Sequence, residues 1–229
     1  MTGILRAAWL IAKKDVRVET RSRELIYTTL FFALTCVLVF SFAFVRAGTG
    51  LPIEGAAPGV LWVAIAFSGT LALARTFERE RQSETLRALL LAPVERAAIY
   101  LGKLAAVLAL LFAIELLLVP VVALLFHAQV GKAPGMFAAI LVTGTLGFAA
   151  VGTLFAAMLV RTQSRDVLLP VILYPMTIPV LIGGMQATAA LFLPVPNIEV
   201  ARTWLSMLVF FDAVFVTLAL WTIGPVTSE

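Results

Sequence analysis

Six apolar runs of membrane-spanning length occupy most of this chain and constrain its fold more than any other feature. A helix needs about 20 apolar residues to cross a bilayer, and the runs cover 25–45, 57–74, 104–126, 136–160, 167–190 and 204–223. Of the 229 residues, 62% are hydrophobic and only 13% are charged, whereas soluble domains average about 25% charged. The sequence predicts an all-α integral membrane protein, with a six-helix transmembrane domain at 25–223 and a short cytoplasmic tail at 224–229.

The fifth run differs from the others because it contains Pro170, Pro175, Pro179 and the pair Gly183 and Gly184. Proline removes a backbone donor and crowds the preceding turn. We expect this run to be kinked or partly re-entrant rather than a regular span.

The positive charges fix the expected orientation. Of the seventeen lysines and arginines, all but Arg46, Lys132 and Arg202 fall in segments on the side of the N-terminus. The positive-inside rule then places both termini in the cytoplasm. A positive net charge on a chain of this kind favours retention beside anionic lipid, and nucleic-acid binding is a poor interpretation of it.

Residues 1–24 have the pattern of an amphipathic helix. Apolar residues recur at helical spacing at Leu5, Trp9, Ala12 and Val16, while Arg6, Lys13 and Arg17 share another face. This pattern predicts a helix lying in the cytoplasmic interface of the membrane. The alternative is a charged segment that only sets the topology.

A charged segment at 75–103 separates the second and third runs. Ser83 can cap a helix over 83–91, and Pro93 ends it. The segment is long for a plain loop, so we interpret it as a docking surface, with a solvated loop as the alternative. The predicted coupling residues, apolar anchors and rim charges together, are Phe77, Glu78, Glu80, Glu84, Leu86, Arg87, Leu90 and Pro93.

Several stretches resemble a known family. The sequence ETLRALLLAPVER at 84–96, closing with LGK at 101–103, is similar to the coupling segment that follows the second span in ABC-2 type permeases. The stretches APGVLWVA at 57–64, RTFE at 75–78 and YPMTIPVLIG at 174–183 narrow the resemblance to CcmB, the permease subunit of the haem exporter of cytochrome c maturation. The resemblance covers nearly the whole chain.

The resemblance implies a non-catalytic subunit in the bacterial inner membrane that couples ATP hydrolysis elsewhere to haem export, or to release of a haem-loaded chaperone. The chain has no GxxxxGK[ST] phosphate loop, so ATP is expected in a separate subunit. The implied partners are a CcmA-like ATPase dimer, CcmC-like and CcmD-like membrane subunits, a CcmE-like haem chaperone and, because six spans supply half of an exporter, a second permease copy or another membrane partner. No cofactor is expected on this chain itself.

A direct haem contact would have to use few side chains. His127 is the lone histidine and is placed where the third run ends. A single imidazole could be an axial ligand to haem iron, but an interfacial histidine is more often an anchor or a solvated residue. Met185 could supply sulfur, although methionine in an apolar helix usually packs in the core.

Two carboxylates fall in the middle of apolar runs, Glu115 in the third and Asp212 in the sixth. Charges at this depth are costly and face the bundle interior. Each is interpreted either as a conformational switch or inter-subunit hydrogen-bond site, or as a protonated carboxyl bonded to a neighbouring threonine or backbone carbonyl. The second interpretation is preferred for both.

Small residues mark where helices meet. Gly144, Gly147 and Gly152, with Thr143, Ala149 and Ala156, lie in the fourth run and allow close backbone approach. The contact is expected either within the chain or with a second permease subunit.

Other functions fit the sequence less well. A secondary transporter would show an inverted repeat with broken helices at the midplane, and a membrane enzyme would show convergent titratable groups; we find neither. The remaining alternative is an ABC-2 permease that exports a lipid, a polysaccharide or a drug.

Overall fold

A computed structural model describes residues 2–45, 53–82, 95–159, 162 and 165–226 of the chain. Within these ranges the protein is a helical bundle of seven α-helices and two short 3-10 turns, Glu54–Ala56 and Val130–Lys132. The helices are α1 Thr2–Ser22, α2 Glu24–Ala43, α3 Ala57–Gln82, α4 Arg96–Phe126, α5 Pro134–Met158, α6 Arg165–Leu191 and α7 Ile198–Val226.

The six helices α2 to α7 are long and apolar enough to cross a membrane. They confirm the number and order of the predicted spans. Two helices begin well before the apolar runs suggested: α4 starts at Arg96 and α7 at Ile198. The first extension has a packing cause, since Ala98, Ile99 and Tyr100 are buried and therefore stay in a regular helix despite the charges around them.

The fifth predicted span is one continuous helix. Residues Arg165–Leu191 remain helical through Pro170, Pro175 and Pro179, and the apolar part Val167–Leu191 is long enough to cross the membrane on its own. The re-entrant alternative is therefore wrong for this helix. Neighbouring helices can hold a proline-containing span in place, which is why such helices are tolerated in membranes.

The centre of the bundle is formed by α3 and α5. In each of these helices 67% of the spanning positions are buried, whereas the share falls to 28% in α2 and 22% in α7. The largest fully buried side chains include Trp62, Tyr100, Phe126 and Phe148. The outer helices therefore leave most of their apolar surface to lipid or to other subunits.

Helix α1 does not enter the core of the six spans but packs along α4. A single residue in the left-handed conformation, Arg23 with φ of 56°, separates α1 from α2. This backbone conformation is uncommon for a residue other than glycine and changes the chain direction in one step. That α1 lies in the membrane interface remains a prediction.

Candidate functional site

The predicted docking segment is framed by two long helices. Helix α3 continues to Gln82, beyond the Arg75 end of its spanning part, and α4 begins at Arg96. Phe77, Glu78 and Glu80 belong to the extension of α3, but their side chains lie outside the described part of the structure. Residues 83–94, with Glu84, Leu86, Arg87, Leu90 and Pro93, are also outside the described residues.

The extension of α4 carries a close contact with α1. A Cβ atom built on Gly102 would lie 2.8 Å from the carbonyl oxygen of Ala8 and 2.8 Å from the Cβ atom of Ile11. Real Cβ atoms do not approach other atoms this closely, so only glycine allows this separation of the two helices. The facing residues Ala8, Ile11 and Ala12 of α1 are buried.

An ion pair lies next to this contact. The Nζ atom of Lys103 is 2.5 Å from the Oδ2 atom of Asp15, and the two side chains are only 3% and 13% exposed. The other oxygen of Asp15 is 2.8 Å from the Nζ atom of Lys14, whose side chain is 43% exposed. We call Gly102, Lys103, Ala8, Ile11 and Asp15 the α1–α4 joint. It connects the N-terminal helix to the helix that follows the docking segment.

The three glycines of α5 that the sequence marked as packing positions all face other helices of the same chain. Gly144 lies against the indole ring of Trp62, Gly147 lies against Asp212 and Val180, and Gly152 lies against Leu73. The glycines thus accommodate side chains of α3, α6 and α7. Their contacts are internal to this chain, which answers the question that the sequence left open.

Trp62 joins three helices. A Cβ atom on Gly184 of α6 would lie 2.5 Å from its Cε2 atom, and one on Gly144 of α5 would lie 2.6 Å from its Cζ3 atom. Its Nε1 atom donates a hydrogen bond to the hydroxyl of Thr188 at 3.0 Å. A further bond joins Thr70 and Tyr174, with 3.2 Å between their hydroxyl oxygens. The helices α3, α5 and α6 therefore form one closely packed unit.

The two buried carboxyl groups differ in their partners. Glu115 is 4% exposed and accepts a hydrogen bond from the hydroxyl of Thr145. A second polar contact joins the same two helices, since the hydroxyl of Tyr100 donates to the carbonyl oxygen of Ala150 at 3.0 Å. The geometry at Glu115 fits the preferred interpretation of a carboxyl held by a neighbouring threonine.

Asp212 is 7% exposed, and neither of its carboxyl oxygens has a hydrogen-bond partner among the described residues. It lies against Gly147, only two positions from Thr145 on α5. Two positions on a helix differ by about 3 Å in height and about 200° in direction. Asp212 and Glu115 therefore lie on opposite sides of α5 at almost the same depth.

The far end of the bundle is held by side-chain contacts to the connecting segments. Lys132 donates a hydrogen bond to the carbonyl oxygen of Pro194, and the rings of Phe137 and Phe192 lie 5.5 Å apart. His127 is exposed and ends α4 in the left-handed conformation with φ of 53°. Its contact with haem stays a prediction. No group of three or more metal-binding side chains occurs within the described ranges.

A cavity of about 390 Å³ opens between α2, α3 and α6 near the same end. Its walls are mainly apolar and include Phe40, Phe44 and Val63, with Met185 and Gln186 on the α6 side. Met185 is half-buried here. It lies near the C-terminal end of α6.

Sequence reasoning missed the α1–α4 joint and the role of Trp62. A signal was present for the joint, because Asp15 is an acidic residue among the basic residues of α1 and a Gly-Lys pair precedes the third apolar run. A signal was also present for Trp62. The resembling stretches 57–64 and 174–183 belong to helices that pack together through Trp62 and Gly184.

Comparisons with known proteins agree on one family. The sequence profile of the family described as CcmB protein matches residues 6–226. Heme exporter protein B of Paracoccus denitrificans is 31% identical over 176 residues, which cover 76% of this chain and 78% of that protein.

Two further relatives carry the same name. Heme exporter protein B of Bradyrhizobium diazoefficiens is 29% identical over 184 residues, covering 79% of this chain and 80% of the relative. That of Haemophilus influenzae is 28% identical over 186 residues, covering 81% and 83%. The family match over residues 6–226 includes the joint, the buried carboxyl groups and the six spans.

Proposed function

Because this chain belongs to the CcmB family, we propose that it is the membrane permease subunit of an ABC transporter complex for cytochrome c biogenesis. The match over residues 6–226 is the observation that carries the proposal. Three relatives named Heme exporter protein B support haem as the group that the complex handles. The protein is a multi-pass membrane protein, and we place it in the bacterial inner membrane with both termini in the cytoplasm.

The proposed role is mechanical. A CcmA-like ATPase dimer binds the segment 83–94. The apolar anchor consists of Phe77, Leu86 and Leu90, and the rim charges are Glu78, Glu80 and Arg87. Closure of the ATPase moves this segment. Helices α3 and α4 transmit the movement, because α3 leads into the segment and α4 leads out of it, and both cross the membrane. The contacts of Trp62 support this route, since they make α3, α5 and α6 move together.

The proposed complex contains further subunits. CcmC-like and CcmD-like membrane proteins and a CcmE-like haem chaperone complete it, and the exposed faces of α2 and α7 offer surfaces for a second permease copy or another membrane subunit. ATP remains with the ATPase, and haem remains with the complex as a whole. His127 and Met185 are the side chains of this chain that are nearest in chemistry to haem ligands.

Copurification tests the proposal directly. The tagged chain, purified in mild detergent, should bring down an ATPase and a CcmC-like protein, with ATPase activity and haem absorbance in the same sample. Deletion of the gene should remove c-type cytochromes. An ATPase alone, from a host whose c-type cytochromes survive the deletion, would instead indicate an ABC-2 permease that exports a lipid, a polysaccharide or a drug.

The docking segment needs its own variant. Leu86→Asp combined with Leu90→Asp should abolish copurification of the ATPase, because a carboxylate replaces each apolar anchor. Leu193→Asp is a matched control, since Leu193 is 47% exposed on the connection between α6 and α7 at the other end of the bundle. Retention of the ATPase by the double variant would show that the anchor lies elsewhere.

A further inference from the structure

Two adjoining strips of α1, one apolar and one basic, are exposed beside its packed face, and Leu10 and Val18 are exposed further around the helix. Leu5, Trp9 and Val16 are 63%, 67% and 36% exposed. At 3.6 residues per turn they fall within an arc of about 40°. Such exposure of large apolar side chains marks an interaction surface when it is contiguous.

A basic strip runs beside the apolar one. Arg6, Lys13 and Arg17 are exposed and fall within a second arc of about 40°, whose centre is about 80° from that of the apolar strip. On the other side of the apolar strip lies the packed face, with Ala8, Ile11 and Asp15 against α4. The order around the helix is thus packed, apolar and basic.

This order matches the layers of a membrane surface. When a helix packs on a transmembrane span, the apolar strip next to its packed face can reach the acyl chains. The basic strip on the other side of the apolar strip is then at the level of the phosphates. A second protein subunit would not require three like charges along one edge of the apolar strip. The charge complementarity therefore favours an anionic lipid surface over a protein partner.

We infer that α1 binds anionic phospholipids in the leaflet on the side of the N-terminus. Arg6, Lys13 and Arg17 contact the phosphates, and Leu5, Trp9 and Val16 insert between the acyl chains. Through the α1–α4 joint, lipid binding at α1 also affects the position of α4. With Gly102 in contact with Ala8 and Lys103 paired with Asp15, a lipid that holds α1 also holds the beginning of α4.

Trp9 supplies a reporter within the apolar strip. The full chain is placed in nanodiscs that contain phosphatidylcholine and a fixed fraction of either brominated phosphatidylglycerol or brominated phosphatidylcholine. The quenching that depends on Trp9 is obtained as the difference between the unmodified chain and the variant Trp9→Phe. Titration of each brominated lipid gives the association constant of phosphatidylglycerol relative to phosphatidylcholine at α1.

We expect an association constant of phosphatidylglycerol relative to phosphatidylcholine above one. Each basic side chain near an anionic surface contributes roughly 1 kcal/mol, so removing one should lower this constant about fivefold. Arg17→Gln should show this decrease. Arg202→Gln removes the same charge from an exposed position near the start of α7, at the opposite end of the bundle, and should leave the constant unchanged. Raising the salt concentration to about 1 M should bring it towards one.

Three results would overturn the inference. A relative constant of one would show no preference for anionic lipid. Equal decreases for Arg17→Gln and Arg202→Gln would show a general charge effect rather than a site on α1. Absence of any Trp9-dependent quenching would show that the apolar strip is covered by protein, either a second copy or another subunit.

Discussion

Lys103 and Asp15 form an ion pair with only 2.5 Å between the Nζ and Oδ2 atoms, and the lysine side chain is almost completely buried. Lys103 belongs to α4 and Asp15 to α1, so the pair joins helices that are far apart in the sequence. An ammonium group in this position requires its counter-charge, because a buried charge without a partner is very costly. The pair therefore specifies how α1 sits on α4.

Replacing only one partner of this pair should destabilise the protein. Asp15→Asn removes the carboxylate that lies 2.5 Å from the Nζ atom of the buried Lys103, and we expect a loss of about 3 kcal/mol in unfolding free energy. The thermal midpoint in detergent measures the effect. The double variant Asp15→Leu with Lys103→Met should recover most of the loss. If the double variant is no more stable than Asp15→Asn, the loss of stability does not come from breaking the ion pair with Lys103.

The close contact at Gly102 gives a second prediction. Gly102→Ala places a methyl group against the backbone carbonyl of Ala8, which cannot rotate away, so we expect a loss of about 1–3 kcal/mol. Gly135→Ala is the matched control, since nothing lies within 4 Å of a Cβ atom at Gly135 near the start of α5. Equal midpoints for the two variants would mean that α1 moves off α4 without cost.

The hydrogen bond between Trp62 and Thr188 gives a third prediction. A double-mutant cycle with Trp62→Phe and Thr188→Val should show a coupling energy of about 0.6 kcal/mol, the average found for side-chain bonds between membrane helices. Thr70→Val with Trp62→Phe is the control cycle, because the Thr70 hydroxyl bonds to Tyr174 instead. The control pair should be additive. A coupling energy of zero in the first cycle would contradict the bond.

Replacing each of the two buried carboxyl groups by leucine should affect the stability of the bundle differently. Glu115→Leu removes the acceptor of the Thr145 hydroxyl and should destabilise the bundle by about 1–3 kcal/mol. Asp212→Leu removes two buried oxygens that have no hydrogen-bond partner among the described residues, and should be neutral or stabilising. Thermal midpoints of the two variants, measured side by side, decide the sign for each.

One combination of results for the Asp212→Leu variant would show that Asp212 has a role in function. If Asp212→Leu raises the midpoint but stops cytochrome c maturation in cells, the carboxyl group is used in another conformation of the protein, since residues that cost stability are retained where function needs them. If the variant is destabilised, the carboxyl group of Asp212 has a hydrogen-bond partner outside the described residues.

The spans were predictable because each depends on a property of its own residues. Apolar length alone placed the spanning parts of α2, α3 and α5 to within two residues at each end. The start of α4 was not predictable in this way. Residues 96–103 contain Arg96 and Lys103, and they are helical because they pack on α1 and α5, which the sequence of α4 does not reveal.

The candidate site divides in the same manner. That Gly144, Gly147 and Gly152 allow close approach follows from the residue type, but the partners Trp62, Asp212 and Leu73 depend on how the helices rotate about their axes. Glu115 was recognisable as a buried polar residue from its position in the run. The sequence predicted that a threonine or a backbone carbonyl would bond to Glu115, but not which one. Thr145 could not be identified because thirty residues separate it from Glu115 in the chain.

The indole of Trp62 also has an evolutionary consequence. Because this ring occupies space left by two glycines on two different helices, positions 62, 144 and 184 cannot change independently. A smaller residue at 62 would open a void and release both glycines to acquire side chains, whereas a larger residue at either glycine would displace the ring. Among homologous sequences these three positions should therefore vary as a group, and their joint pattern would identify chains that share this arrangement of helices.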